Sequence, residues 1–125
     1  MIFLVSEVKI ENDNLVFEIR GLDEILSIKR SISVPLERVV SVSTEEVPWK
    51  PFQQLRIMGT SLPGVIKEGR FLTSDGLVFF EMKDPDKCIT VTLDHENYKK
   101  IVFEVDDKES TAKMINEAIK TTKSQ

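Results

Sequence analysis

One cysteine, one histidine, one tryptophan and one tyrosine occur in 125 residues, and glycine and proline stand at five each. With Cys88 alone, an internal disulfide is excluded, and a cysteine-based metal site would need several ligands of other types beside it. Long apolar runs are missing too. Met1 to Val5 is apolar, but Glu7, Lys9 and Glu11 follow at once. That is too short for a signal-peptide core or a membrane span, and no later stretch approaches the ~18 apolar residues a spanning helix needs. Positive charge is not in excess either: 17 Lys and Arg stand against 21 Asp and Glu, a net charge of −4. Holding a phosphate backbone rests on clustered Lys and Arg, so no nucleic-acid partner is expected. The same balance argues against standing adhesion to an anionic membrane, leaving only weak or indirect association. A soluble, cytoplasmic protein is the expectation.

What is present is an ordinary globular composition, 41% hydrophobic and 30% charged. A chain of this length buries roughly two-thirds of its unfolded surface and supports a core without staples. No repeat, low-complexity tract or linker divides it, so residues 1–125 read as one domain. The first half alternates. Val8 and Ile10 share one face of a strand, and Leu15, Phe17 and Ile19 share one face of the next. Asn12-Asp13-Asn14 between them tolerates left-handed backbone angles and reads as a hairpin turn. Leu22 to Leu26 suits one short helical turn, Ile28 to Val34 returns to strand chemistry before Pro35, and Arg38 to Ser43 is a β-branched run. Thr44 to Leu55 reads as a loop, because Pro48 and Pro51 each remove a backbone donor. Arg56 to Gly69 holds three of the five glycines and Pro63-Gly64, and reads as irregular.

Four strands follow, over 70–73, 77–82, 88–93 and 100–105, separated by the turns Ser74-Asp75-Gly76, Asp84-Pro85-Asp86 and His95-Glu96-Asn97. Short connections without an intervening helix predict an antiparallel meander. Asp106 and Glu109 have capping-box spacing, and Ala112, Ile115, Ala118 and Ile119 fall on one face of a helix over 107–121. The fold class is mainly β, a partly open barrel or two packed antiparallel sheets capped by that helix. Its expected core is Val8, Ile10, Phe17, Ile19, Val40, Val42, Phe71, Val78, Phe80, Ile89, Val91, Val102, Ile115 and Ile119.

Several strands before one terminal helix is the order of a pleckstrin-homology-like (PH-like) barrel. The stretch from Gly21 through Ser31-Ile32-Ser33-Val34-Pro35-Leu36 to Val39 resembles the early half of bacterial PH-like domains. Arg56 to Gly64 followed by Gly69-Arg70-Phe71 resembles the Gly…Pro-Gly…Gly-Arg-Phe pattern of one family of small prokaryotic proteins with that fold. The resemblance covers nearly the whole chain and implies a fold without an established activity. Eukaryotic relatives hold inositol phosphates with basic residues around the first hairpin loop. Here that loop is Glu11-Asn12-Asp13-Asn14, which would repel a polyphosphate, and Trp49 lies between Pro48 and Pro51 rather than in the terminal helix.

Candidate sites are few. Asp94-His95-Glu96 offers metal-ligand types, but adjacent residues rarely converge on one ion, and the segment reads as a polar turn. No Gly-x-Ser-x-Gly elbow is present. Cys88 reads as a small buried hydrophobe, and Asp84-Pro85-Asp86 lacks the oxygen ligands of a calcium loop. Gly59-Thr60-Ser61 is neither a Walker nor a dinucleotide motif. The stretch 56–70 is the best functional candidate. Its glycines either serve sharp turns, or Arg56, Gly59, Pro63, Gly64, Lys67 and Arg70 form a loop that receives an anionic group or a partner's carboxylates. Trp49 and Phe52 either anchor a partner or plug one end of the barrel. The sequence therefore predicts a non-enzymatic module without cofactor or metal. It binds a protein or peptide, a second copy of itself included. The alternative is a small ligand or anionic lipid headgroup bound at 56–70.

Overall fold

The computed structural model describes residues 4–21, 29–46, 55–62 and 66–123. Nine strands precede one helix: β1 (Leu4–Glu11), β2 (Asn14–Gly21), β3 (Lys29–Pro35), β4 (Val39–Ser43), β5 (Leu55–Leu62), β6 (Ile66–Thr73), β7 (Gly76–Met82), β8 (Cys88–Leu93), β9 (Lys100–Glu104) and α1 (Lys108–Lys123). They form two open sheets, ordered β1-β2-β3 and β4-β8-β9-β7-β6-β5, which do not close into a barrel. The helical turn expected over Leu22 to Leu26 lies outside the described residues.

The first sheet is an antiparallel meander. Its β1–β2 turn has Asn12 and Asp13 at φ +51° and +64°, the pair of left-handed conformations that a two-residue hairpin requires. Asp13 O accepts from Leu36 N at 2.9 Å, tying the end of β3 back to this turn. Pro35 ends β3, and a 3-10 turn at Leu36–Arg38 with Leu36 buried carries the chain into β4 of the second sheet.

The two sheets share one core. Leu15, Phe17, Ile19 and Val34 meet Phe79, Ile89, Val91, Leu93, Ile101 and Phe103, while Ile115 and Ile119 of the helix seal the seam. Phe17 and Phe103 meet edge to face at 5.2 Å between ring centres, a geometry aromatic quadrupoles favour. On the opposite face of the larger sheet Phe71, Val78, Phe80, Met82, Cys88 and Val102 form a second buried cluster. Strands β7 and β9 are thus buried on both faces. That explains why Phe79, Ile101 and Phe103 belong to the core although one-faced alternation did not single them out.

Two expectations are corrected here. The second half is not a plain meander: β7 and β9 pair in parallel, Val78 with Lys100 through Glu81 with Phe103. No helical crossover is needed, because β8 makes the return trip and β9 then inserts between β7 and β8. The 83–87 connection passes the exit of β9, where Glu104 Oε1 accepts from Lys83 N and Asp84 N at 2.9 and 2.6 Å, and Val105 N donates to Lys87 O at 3.0 Å. The described residues of the stretch 56–69, namely 56–62 and 66–69, are not irregular either. Strands β5 and β6 pair from Leu55–Leu72 to Leu62–Ile66, with one bulge between Arg56 and Met58.

Val40 is also not core. A register shift between Val39 and Ser41 leaves it 54% exposed on the edge strand β4, because a bulge residue has no place in the alternation. The helix begins one residue later than expected. Asp107 caps it, its carboxylate accepting from Ser110 N at 3.0 Å, so the Asp106–Glu109 box does not form the cap. The predicted apolar face holds: Ala112, Ile115 and Ile119 are buried, and Ala118 packs against them. Among the described residues no helix is long and apolar enough to cross a membrane.

Candidate functional site

Open sheets end in edges, and each edge exposes backbone donors and acceptors that can pair with another strand. Among the described residues there are four: β1 and β3 on the small sheet, β4 and β5 on the large one. They are guarded unequally. Strand β1 carries Glu7, Lys9 and Glu11; β3 carries Lys29 and Arg30 and ends at Pro35. Charge and proline are the usual means of discouraging edge pairing. Strand β4 has no charge but is only five residues long and is broken by the bulge at Val40. Strand β5 is eight residues long, Leu-Arg-Ile-Met-Gly-Thr-Ser-Leu, with Arg56 its single charge. Its bulge lies near one end, so Met58 to Leu62 runs in unbroken register against Arg70 to Ile66. Among the described residues β5 pairs with β6 alone. Among the described residues it is the least guarded edge.

The small sheet shows what a guarded edge looks like. Glu7 on β1 stands opposite Glu18 on β2, a like-charge pair that would destabilise the ladder by itself. Lys9 Nζ lies 3.2 Å from Glu18 and 3.4 Å from Glu11. Hydrogen bonds to Glu18 first and Glu11 second hold the ammonium above the ordinary lysine range.

The predicted site residues disperse along this architecture. Arg56 and Gly59 lie on β5, Lys67 and Arg70 on β6. Position 67 pairs with Met82 and position 70 with Phe79. Gly59 pairs with Gly69, which is buried with φ +121°, a backbone angle that glycine alone adopts freely. Trp49, Phe52, Pro63 and Gly64 lie outside the described residues.

No family model, curated protein or solved structure matches this chain.

The other candidates resolve into local structure. His95 sits at φ +56° in the β8–β9 turn, exposed, with Nε2 3.5 Å from Asp94. Asp84 caps the 3-10 turn at Pro85–Lys87 by accepting from Asp86 N at 3.0 Å. Cys88 is fully buried, and its thiol donates to Asp84 O at 3.4 Å. Burial first, then the nearby Glu104 and Glu81 carboxylates, push that thiol far above its ordinary range, so it is a poor nucleophile. Sequence reasoning did not single out Glu18 and Glu81, the two acids that are buried among the described residues. Glu81 falls in alternation with Leu77 and Phe79, which was an available signal, whereas alternation puts Glu18 on the face opposite Phe17 and Ile19.

Proposed function

We propose that the chain is a non-enzymatic interaction module that takes an extended polypeptide onto the free edge of β5. The observation that supports this is the inequality of the four edges: the large sheet ends on its longest edge strand, and that strand has one charge. Main-chain hydrogen bonds would supply affinity, and side chains alternating along the added strand would supply selectivity. The order of elements, strands before one terminal helix, keeps the PH-like resemblance as part of this reading, while the open sheets and the parallel β7–β9 pair depart from a closed barrel. The anionic-ligand alternative has less support, because Arg56, Lys67 and Arg70 are spread over two paired strands rather than gathered on one loop.

The test is panning of a random peptide library against sparsely immobilised protein, beside a Met58→Lys/Thr60→Lys variant. Wild type should enrich peptides rich in β-branched and aromatic residues, and the variant should lose them. No enrichment by the wild type would end this reading.

A further inference from the structure

We infer that the partner of β5 is a second copy of the same chain, joined antiparallel about Thr60. This rests on the edge-binding reading above and names its occupant. The unbroken part of β5 is Met58-Gly59-Thr60-Ser61-Leu62, and it is self-complementary. With Thr60 on a two-fold axis, Met58 faces Leu62, Gly59 faces Ser61, and Thr60 faces Thr60 of the second copy. Cross-strand threonine pairs are favourable, and no charge meets a like charge in this register. The first charged positions behind the seam are on β6. Glu68 stands opposite Thr60, so across the axis the two Glu68 positions lie three strand spacings apart. That is about 14 Å, beyond the ~8 Å screening length of physiological salt. Lys67 and Arg70 stand opposite Ser61 and Met58 and are similarly removed from their copies.

The other three edges suit it less: β1 carries Glu7, Lys9 and Glu11, β3 carries two basic residues and ends at Pro35, and β4 is interrupted by its bulge. Any partner for β5 must bring an unguarded strand, and a second copy brings one at the chain's own concentration. The contact is isologous, as most homodimer contacts are. It would merge two six-stranded sheets into one continuous sheet of twelve.

Light scattering over a concentration series should show a reversible dimer. Thr60→Lys, which places two ammonium groups on the axis, should weaken it by about tenfold or more. The register is tested by cysteine pairing in a Cys88→Ala background. Thr60→Cys should oxidise to a covalent dimer, since directly opposed residues lie within disulfide reach. Ser61→Cys should not, because it faces position 59. A wild type that stays monomeric, a dimer indifferent to Thr60→Lys, or equal cross-linking at 60 and 61 would each overturn the inference. Of these, a monomer that still enriches peptides from the library leaves the edge-binding reading standing. A monomer that enriches none removes both.

Discussion

At the scale of single residues, burial and backbone geometry decide more than residue type does. Cys88 is the clearest case. Its thiol has a higher pKa folded than unfolded, so the folded state holds a proton that the unfolded state releases above pH ~8.5. The contribution is neutral below that pH and turns against folding as pH rises. The slope tends to about 1.4 kcal/mol per pH unit while the folded thiol remains protonated. Urea unfolding of wild type and Cys88→Ala between pH 8 and pH 10 should therefore show the wild type losing stability more steeply. In native buffer a thiol reagent should modify Cys88 only on the timescale of unfolding. Parallel slopes would mean that the thiol is exposed to solvent. Burial of this residue was legible in the sequence, because Cys88 opens an apolar strand. The shift was not, because Glu81 and Glu104 reach it from other strands.

At the scale of elements, the pattern of successes follows the range of the physical signal. The β1–β2 hairpin was readable from four adjacent residues whose turn chemistry is local, and the apolar stripe of α1 from spacing alone. The exact cap was not readable, since Asp106 and Asp107 are both capping residues and only the chain's exit from β9 selects the second. Asp107→Ala should cost about 1 kcal/mol and lower the thermal midpoint by a few degrees. Asp106→Ala should change it much less, and a calorimetric scan of the two variants separates them. Strand β5 was missed because glycines at 59, 64 and 69 signal turns, while in this ribbon Gly59 and Gly69 face each other across a ladder. Val40 was misplaced for the converse reason: its β-branched neighbours predict alternation, and a one-residue bulge interrupts it. Of the candidate site, Arg56 and Gly59 lie on the edge strand β5 and Lys67 and Arg70 on its neighbour β6, an arrangement that reading 56–70 as a loop concealed.

At the scale of the whole molecule, sheet order is the feature that local pattern cannot reveal. Alternation identifies a strand and its buried face, but β9 could lie outside β8 or inside it with the same alternation. What selects the inner place is burial on both faces, Ile101 and Phe103 on one side and Val102 on the other. A strand flanked by β8 and β7 has both rows of its backbone groups paired, which predicts the slowest amide exchange in the protein. Native-state hydrogen exchange should find Ile101, Val102 and Phe103 opening only with global unfolding, and the β4 amides opening by local fluctuation. Equal protection at β4 and β9 would mean that the bulged edge is held by something beyond its single neighbour. Most contacts join distant parts of the chain, so refolding is expected in the millisecond-to-second range typical of non-local β topologies.

The insertion of β9 also bears on how the protein is made. A ribosome delivers β7 and β8 before residues 100–104 exist, so each waits with an unfilled row of donors and acceptors on the side that will later face β9. Until β9 emerges, the edges of β7 and β8 that it will pair with stay open to other extended segments. The large sheet can be completed only after Glu104 has left the exit tunnel, because β9 is the strand that joins its two halves.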